Sequence, residues 1–207
     1  MLISGPKSAP LTVVLAHGAG APMDTPFMTF FAEGLAKAGY RAVRFEFPYM
    51  AARRKTGAKK PPDRQPVLLE TWRSVIAEWG SERLVIGGKS MGGRMASLIA
   101  DDANVQGLVC LGYPFYGAGR KDKPRTAHLL ALKTRALICQ GERDPMGGRD
   151  SVSRLTLSRA VKIRWLPDGD HDLKPRRASG HTHDENLTDA LDAVCEFLAA
   201  LRSRRGA

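Results

Sequence analysis

One serine of this chain stands in a setting suited to nucleophilic attack. Residues 88–92 read Gly-Lys-Ser-Met-Gly and lie directly between an apolar run and a helical pattern. Glycines two positions before and after a serine permit the sharp, closely packed strand-to-helix turn that lifts a hydroxyl above a sheet. The helix that follows points free N–H groups at the serine, and the N–H of Met91 is placed to stabilise an oxyanion. The pattern predicts that Ser90 is a nucleophile.

A serine hydroxyl needs a general base, and the base needs a carboxylate that orients it. Asp144 follows an apolar run that ends at Gln140, and His171 follows another that ends at Leu166. Parallel strands bring their carboxyl ends to one edge of a sheet, where ligands bind. The chain order of serine, acid and histidine is that of enzymes with this type of turn. We therefore predict a catalytic triad of Ser90, Asp144 and His171.

Other side chains of the right type remain as alternatives. His181 and His183 are alternative bases beyond the last predicted strand, and Glu142 and Asp150 are alternative acids. The His-x-His pair has no cysteine near it, so a metal site is not expected there. Two further histidines have no catalytic partner in the sequence and are interpreted as structural, namely His17 and His128.

A glycine-rich turn, His17-Gly18-Ala19-Gly20, ends the first apolar run. The second N–H of an oxyanion hole comes from this position in enzymes with the serine turn, and we assign it to Ala19, with Gly18 and Gly20 as alternatives. The turn lacks the glycine spacing of a dinucleotide fingerprint and the ending of a P-loop, so no cofactor is expected. Residues that follow strands or adjoin the nucleophile are predicted to line the substrate pocket: Met23, Tyr49, Lys89, Tyr113 and Phe115.

The elements that must position these residues alternate along the chain. Apolar runs predict strands over 11–16, 40–47, 83–88, 105–111, 135–140 and 161–166, and periodic patterns predict helices over 26–38, 66–79, 91–101 and 187–201. Such alternation predicts an α/β fold with a mainly parallel sheet of six or seven strands and helices on both faces. We expect one domain over 1–207. The Pro-, Lys- and Arg-rich segment 51–65 is expected to be a mobile, solvated loop.

Composition bounds the possible classes of protein. The 207 residues are 43% hydrophobic and 26% charged, which excludes a disordered or fibrous chain. No run approaches the roughly 18 apolar residues that a membrane span requires. The three cysteines lie in apolar or amphipathic segments, which favours free thiols in a reducing compartment and predicts a cytoplasmic location.

Five stretches together carry a family resemblance: HGAGAPMDTPFM (17–28), GGKSMGGRMAS (87–97), LGYPF (111–115), QGERDPMG (140–147) and DGDHDLKPRRASG (168–180). On these the chain resembles small proteins of the α/β-hydrolase fold of the dienelactone-hydrolase-like set. It is more closely similar to the bacterial predicted hydrolases grouped with the testis-expressed hydrolase-like proteins. The resemblance implies that Ser90, Asp144 and His171 are nucleophile, acid and base. No lid-sized insertion separates the fourth and fifth predicted strands, which predicts an open site.

Two functions of different classes follow. The first is a serine hydrolase that cleaves carboxylic ester-type bonds of a small acyl substrate through an acyl-enzyme. The second is a catalytically inactive module of the same fold that binds an anionic partner, because the net charge is +11. Nucleic acid is not the expected partner, since no nucleic-acid motif is present. The bases near the predicted site, Lys89, Arg94 and residues 174–177, favour an anionic substrate. The sequence leaves the oligomeric state open.

Overall fold

Seven strands form one sheet in the structure, a computed structural model that describes residues 1–117 and 119–202. The described residues form nine strands, in chain order β1 Leu2–Ser4, β2 Thr12–Ala16, β3 Arg41–Phe45, β4 Leu84–Lys89, β5 Gly107–Leu111, β6 Tyr116–Gly117, β7 Arg120–Pro124, β8 Ala136–Gly141 and β9 Val161–Leu166. Strands β6 and β7 pair only with each other, as a separate hairpin. The sheet order is β1-β3-β2-β4-β5-β8-β9. Strand β1 is antiparallel to β3, and the other neighbours are parallel. The predicted mainly parallel sheet is confirmed.

Helices cover both faces of this sheet. They are α1 Pro26–Lys37, α2 Pro48–Thr56, α3 Gln65–Trp79, α4 Met91–Ser97, α5 Arg149–Val152 and α6 His183–Arg202. Successive side chains of a strand point to opposite faces, so Val13 of β2 packs toward α1 and α6 and Val14 toward α3 and α4. Both faces of the central strands are therefore buried, which explains why their sequences read as continuous apolar runs.

Helix α2 corrects the expectation of a loop over 51–65. Pro48 occupies the first helical position and Gly57, with a φ of 72°, ends the helix, which are ordinary start and stop signals. Only Tyr49 and Met50 of this helix are buried, so its sequence shows no apolar periodicity. Residues 57–64 carry neither helix nor strand.

Helix α4 is shorter than the predicted 91–101. It ends at Ser97, where the N–H groups of Leu98 and Ile99 bond to carbonyls three residues back and tighten the chain into turns. Strand β1 and the β6–β7 hairpin were not predicted from sequence. Both are short, and β1 is an antiparallel edge strand without a long apolar run.

The connection from β5 to β8 holds the β6–β7 hairpin and a 3₁₀ turn at Ala127–Leu130. Within the described residues this connection forms no lid over the carboxyl edge of the sheet, as the sequence predicts. None of the described helices combines the length and apolar character needed to cross a membrane. The three cysteines carry free thiols, as expected; Cys110 and Cys139 are buried and Cys195 is half-buried.

Candidate active site

The turn between β4 and α4 holds Ser90 in an unusual backbone conformation. Its φ is 50° and its ψ is −116°, a combination that L-residues rarely adopt. The flanking glycines are required by space, because a Cβ on Gly88 would lie 2.1 Å from the carbonyl oxygen of Ala16 and one on Gly92 would lie 2.5 Å from it. The turn therefore packs against the main chain of β2 and presents the Ser90 hydroxyl at the carboxyl edge of the sheet.

His171 lies within hydrogen-bond distance of both other residues of the predicted triad. Nε2 of His171 is 2.8 Å from Oγ of Ser90, and Nδ1 of His171 is 2.7 Å from Oδ2 of Asp144. The Asp144 side chain is fully buried, whereas 21% of the His171 side chain is exposed. A carboxylate only accepts hydrogen bonds, so Nδ1 carries the proton and Nε2 is left to accept the serine proton.

Asp144 is fixed by two further donors. The side-chain amide of Gln140 donates to Oδ2 at 2.8 Å, and the N–H of Met146 donates to Oδ1 at 2.8 Å. Gln140 is itself completely buried and also exchanges hydrogen bonds with the main chain of Tyr113. The carboxylate thus points at His171 with both of its oxygens hydrogen-bonded, which lowers the cost of burying it.

The turn after β2, residues 17–20, also lies close to Ser90. A Cβ on Gly18 would lie 3.7 Å from the Cβ of Ser90, so this main chain runs beside the nucleophile. The hydroxyl of Tyr49 donates to the carbonyl of Ala19 at 2.9 Å and holds the turn in place. Met91 is the first residue of α4, where an N–H has no partner inside its own helix. The turn after β2 and the start of α4 therefore both adjoin Ser90, and the assignment of Ala19 and Met91 to an oxyanion hole stays a prediction.

A cleft of about 580 Å³ opens over Ser90 and His171. One wall, from the turn after β2 and the start of α1, is largely apolar, and the opposite wall is polar and basic. The lining residues are Gly18, Ala19, Gly20, Ala21, Pro22, Thr25, Pro26, Phe27, Met28, Lys89, Ser90, Met146, His171, Asp172, Lys174 and His183. Such a cleft accommodates a small, partly apolar molecule next to the serine.

Comparison with known proteins agrees with this architecture. Residues 9–199 match a protein family described as the alpha/beta hydrolase domain. The chain belongs to the α/β hydrolase domain family. The match spans nearly the whole described sheet, from the residues before β2 into α6. Membership supports the predicted enzyme class, a hydrolase.

Three solved structures have a similar α/β hydrolase fold. Est1E from Butyrivibrio proteoclasticus has a TM-score of 0.71 at 14% identity, over 97% of this chain and 93% of that one. An alpha-beta serine hydrolase homologue from Coxiella burnetii has a TM-score of 0.64 at 20% identity, over 95% and 88%. A serine hydrolase without a lid from Xanthomonas campestris has a TM-score of 0.64 at 20% identity, over 98% and 87%. At these identities the likeness shows the fold alone.

Of the five residues predicted to line the pocket of this α/β hydrolase, Lys89 lines the cleft and four do not. Tyr113 and Phe115 are completely buried and pack on each other at 4.9 Å between ring centroids. Gly112, with a φ of 65°, redirects the chain after β5 so that both rings enter the core. Tyr49 is buried and its hydroxyl contacts the main-chain carbonyls of Gly18 and Ala19, and Met23 lies outside the cleft lining with its N–H donating to Glu46.

The alternative bases and acids lie in other environments. His183 reaches the far wall of the cleft, but its Nε2 is 2.9 Å from the carbonyl oxygen of Asp172, and His181 is exposed outside the cleft. Glu142 pairs with Arg149, and Asp150 is exposed on α5. None of these four side chains is brought to Ser90.

The two histidines interpreted as structural are engaged with the core. His17 donates from Nδ1 to the Gly18 carbonyl, and its Nε2 accepts from the Phe47 N–H, while burial lowers its pKa. Nε2 of His128 lies 2.8 Å from the hydroxyl of Ser97, and burial lowers the pKa of His128 to about 4. Both rings are therefore neutral structural groups at neutral pH.

Some residues of the site were missed from sequence. Phe27 and Met146 line the cleft, and Gln140 positions Asp144. Gln140 could have been found from sequence, because a polar residue near the end of a buried strand indicates a specific hydrogen-bonding role. No signal marked Met146, which reaches the cleft through the fold alone. Among the described residues, no cluster of three or more His, Cys, Asp or Glu side chains is arranged to hold a metal ion.

Proposed function

We propose that this protein is a serine hydrolase that cleaves carboxylic ester-type bonds through an acyl-enzyme. The observation that carries the proposal is the continuous hydrogen-bonded chain from Ser90 Oγ through His171 to Asp144 at the floor of an open cleft. A serine hydroxyl with a neutral imidazole acceptor, itself oriented by a buried carboxylate, is the arrangement that acyl transfer needs.

The reaction follows from the roles of these atoms. Nε2 of His171 takes the hydroxyl proton as Oγ of Ser90 attacks the ester carbonyl, and the N–H groups of Ala19 and Met91 stabilise the oxyanion. The imidazolium then gives its proton to the departing alcohol as the carbonyl–oxygen bond breaks. In the second half, His171 takes a proton from water, the resulting hydroxide attacks the acyl-enzyme, and the proton returns to Ser90 as the acid leaves.

The proposed substrate is a small acyl compound. The cleft has an apolar wall that includes Phe27 and Met28, but it is open to solvent, so a long acyl chain bound there would stay partly exposed to water. The resemblance to the dienelactone-hydrolase-like and testis-expressed hydrolase-like groups, carried by the five stretches, belongs to the same proposal. So does the cytoplasmic location, which rests on the free thiols.

Labelling and turnover test the nucleophile. Wild type is expected to react with a fluorophosphonate probe and to hydrolyse 4-nitrophenyl acetate and butyrate faster than the octanoate. Ser90→Ala is expected to lose both the label and at least about 10³-fold in kcat. Ser153→Ala, an exposed serine at the end of α5, is the matched control and should retain both. Labelling of Ser90→Ala at the wild-type rate would contradict the proposal.

We further propose that the substrate carries a negative charge. Lys174 lines the cleft and is exposed, and in the part of the chain that the structure describes no carboxylate forms an ion pair with its ammonium group. Among the described residues that line the cleft, Asp172 is the one carboxylate, and it is paired with Lys89. The cleft therefore carries an uncompensated positive charge on its rim.

A matched pair of esters tests this charge preference. The 4-nitrophenyl monoester of succinic acid carries a carboxylate, and its methyl ester has nearly the same shape without the charge. Wild type should favour the anion, and Lys174→Met should lose roughly fivefold in kcat/KM on the anion alone, as expected for an exposed ion pair of about 1 kcal/mol. Lys162→Met on β9 makes the same charge change away from the cleft and should behave as wild type.

The alternative function, an inactive module that binds an anionic partner, draws less support from the geometry. The net charge motivated it, but two of the arginines that contribute to that charge are paired within the chain: Arg54 with Asp24 and Glu46, and Arg176 with Asp168. Purified wild type that binds an anionic partner but hydrolyses none of the tested esters would favour this alternative over the hydrolase.

A further inference from the structure

Lys89 stands one residue before the proposed nucleophile, yet its ammonium group contacts the loop that carries the proposed base. Its Nζ donates to the carbonyl oxygen of His171 at 2.5 Å and pairs with Oδ1 of Asp172 at 3.1 Å. The Lys89 side chain is only 11% exposed, whereas that of Asp172 is 69% exposed. The end of β4 is therefore tied directly to the main chain of His171 and to the side chain of Asp172.

Gly112, at the end of the neighbouring strand β5, makes room for this contact. A Cβ on Gly112 would lie 2.6 Å from the carbonyl oxygen of His171 and 2.9 Å from Nζ of Lys89. Its φ of 65° also disfavours any other residue. Both the space and the backbone conformation of Gly112 thus serve the position where lysine meets the loop.

The surroundings of the ammonium group explain why it is not a free cation for substrate. Burial lowers the pKa of Lys89, and the neighbouring carboxylates of Asp172, Asp144 and Asp170 oppose that effect. Nζ also lies 5.4 Å from the centroid of the Phe27 ring. Its hydrogen-bonding capacity and its charge are directed at protein groups, unlike those of Lys174 on the rim.

We propose that Lys89 is a positioning residue that holds the main chain at His171, so that the imidazole stays aligned between Ser90 and Asp144. The inference rests on the proposed hydrolase function. His171 lies in a loop after β9 and not in a strand or helix, so its main chain needs an external anchor. A displacement of about 1 Å at a reacting group costs on the order of 10²-fold in rate, which gives the Lys89 contact a measurable consequence.

The first experiment replaces Lys89 with methionine, which has a similar length but no donor or charge. Lys89→Met is expected to lower kcat by about 10–100-fold on both the succinate monoester and its methyl ester, with KM changed less than twofold. The rate of fluorophosphonate labelling should fall by the same factor, and circular dichroism and the thermal midpoint should report a folded protein. Asp172→Asn keeps the bond from Lys89 to His171 and should lose less than tenfold.

A second variant separates positioning from folding. Lys89→Ala leaves a space at the edge of the cleft, so added propylammonium or butylammonium should restore part of its kcat. The same amines should not restore Lys89→Met, where the methionine side chain fills the space. The double variant Lys89→Met/Asp172→Asn, which removes both charges, covers the case in which the single variant is poorly folded and should lose the same kcat.

Three outcomes would overturn the proposal. A kcat of Lys89→Met within twofold of wild type would show that no anchor is needed. A loss confined to the anionic ester and seen in KM would make Lys89 a substrate-binding cation. A loss that follows only the folded fraction, with no rescue by amines, would make its role structural. Failure of the proposed function itself is distinguishable, since wild type would then take no label, or Ser90→Ala would keep it, whatever is substituted at Lys89.

Discussion

Two loops hold the proposed partners of Ser90, and they are built differently. The acid loop, residues 142–148, carries Asp144 in a fully buried position, where the amide of Gln140 and the N–H of Met146 donate to its carboxylate. The loop is also tied by its main chain, since the N–H of Tyr116 donates to the Met146 carbonyl at 2.9 Å. Asp144 is therefore fixed by buried donors from an amide and from the main chain, whereas the other charged side chains of this loop, Glu142 and Arg143, form their ion pairs at more exposed positions.

The base loop, residues 167–176, is held largely by charged side chains. Asp168 pairs with both Arg143 and Arg176, and Lys89 reaches the His171 carbonyl. One buried amide contributes as well: the side chain of Asn186 on α6 donates to the carbonyls of Pro167 and Leu173, at 3.0 and 2.8 Å.

This difference matches what each proposed role requires. An orienting carboxylate keeps its charge and its place throughout the reaction, so a rigid and buried setting suits it. A general base exchanges protons with substrate and water, so its ring must reach the cleft. We therefore expect changes in the acid loop to lower both stability and activity, and changes in the base loop to lower mainly activity.

The largest effect is expected for Asp144→Asn. An amide in this position presents a donor to His171 and favours the wrong tautomer, so kcat should fall by about 10³–10⁴-fold while the fold is kept. Steady-state kinetics with 4-nitrophenyl acetate measure the loss. Asp150→Asn, on the exposed surface of α5, is the control and should remain as active as wild type. A loss below tenfold would mean that Asp144 does not orient the base.

Gln140→Leu should damage the acid loop through its anchor. The change leaves the N–H of Tyr113 and the carbonyls of Tyr113 and Gly147 without their buried partner. The free energy of unfolding should fall by about 2–4 kcal/mol, because each unpaired buried group is costly. Urea denaturation measures this change, with the exposed Gln65→Leu as a matched control. Equal stability of the two variants would remove the distinction drawn for the acid loop.

Asn186→Leu makes the corresponding change in the base loop. It removes the buried amide that holds Pro167 and Leu173, so the free energy of unfolding should fall by only about 1–2 kcal/mol. The kcat should fall roughly five- to tenfold, because His171 lies between the two released carbonyls. Comparing the ratio of activity loss to stability loss in this variant and in Gln140→Leu tests the contrast directly. A larger stability loss for Asn186→Leu than for Gln140→Leu would reverse it.

The smallest expected effect is on the pH dependence of stability and comes from His128. Burial, and secondarily Arg94, lowers the pKa of His128 from 6.5 to about 4 in the folded chain. Above pH 6.5 the ring is neutral in both the folded and the unfolded chain. Between pH 6.5 and 4 only the unfolded chain binds the proton, so the free energy of unfolding decreases as the pH is lowered through this range. The ring of His128 contacts Tyr113, whose main chain holds Gln140 behind the acid loop.

Replacing this histidine tests the pH dependence. His128→Gln should reduce the difference in stability between pH 7.5 and pH 5 by on the order of 1 kcal/mol, because the titrating group is removed. Thermal midpoints at the two pH values measure it. An unchanged difference would mean that other groups, among them the buried His17, govern the acid sensitivity.

Much of the fold and part of the candidate site could be predicted because the relevant signals are local. The Gly-x-Ser-x-Gly turn between a strand and a helix is recognisable in the sequence, and the carboxyl ends of β8 and β9 determine the positions of Asp144 and His171. The structure brings His171 within hydrogen-bond distance of both Asp144 and Ser90. Their catalytic roles stay predictions.

The rest could not be predicted because it depends on direction and on distant contacts. Lying after a strand places Tyr113 and Phe115 at the correct edge of the sheet, but the backbone at Gly112 decides that their rings enter the core. The contact of Lys89 with His171 joins residues 82 apart in the chain, and no spacing rule relates them.

The two glycines of the turn between β4 and α4 also affect which substitutions the protein tolerates. Gly88 and Gly92 bring the nucleophile turn into contact with the main chain of Ala16, so the separation between Ser90 and the turn at residues 18–20 is set by backbone against backbone. We therefore expect exchanges among the large apolar residues on the two faces of the sheet, such as Trp72 on one and Phe31 on the other, to alter stability more than that separation. A designer is free to repack the interior while the reactive geometry stays fixed.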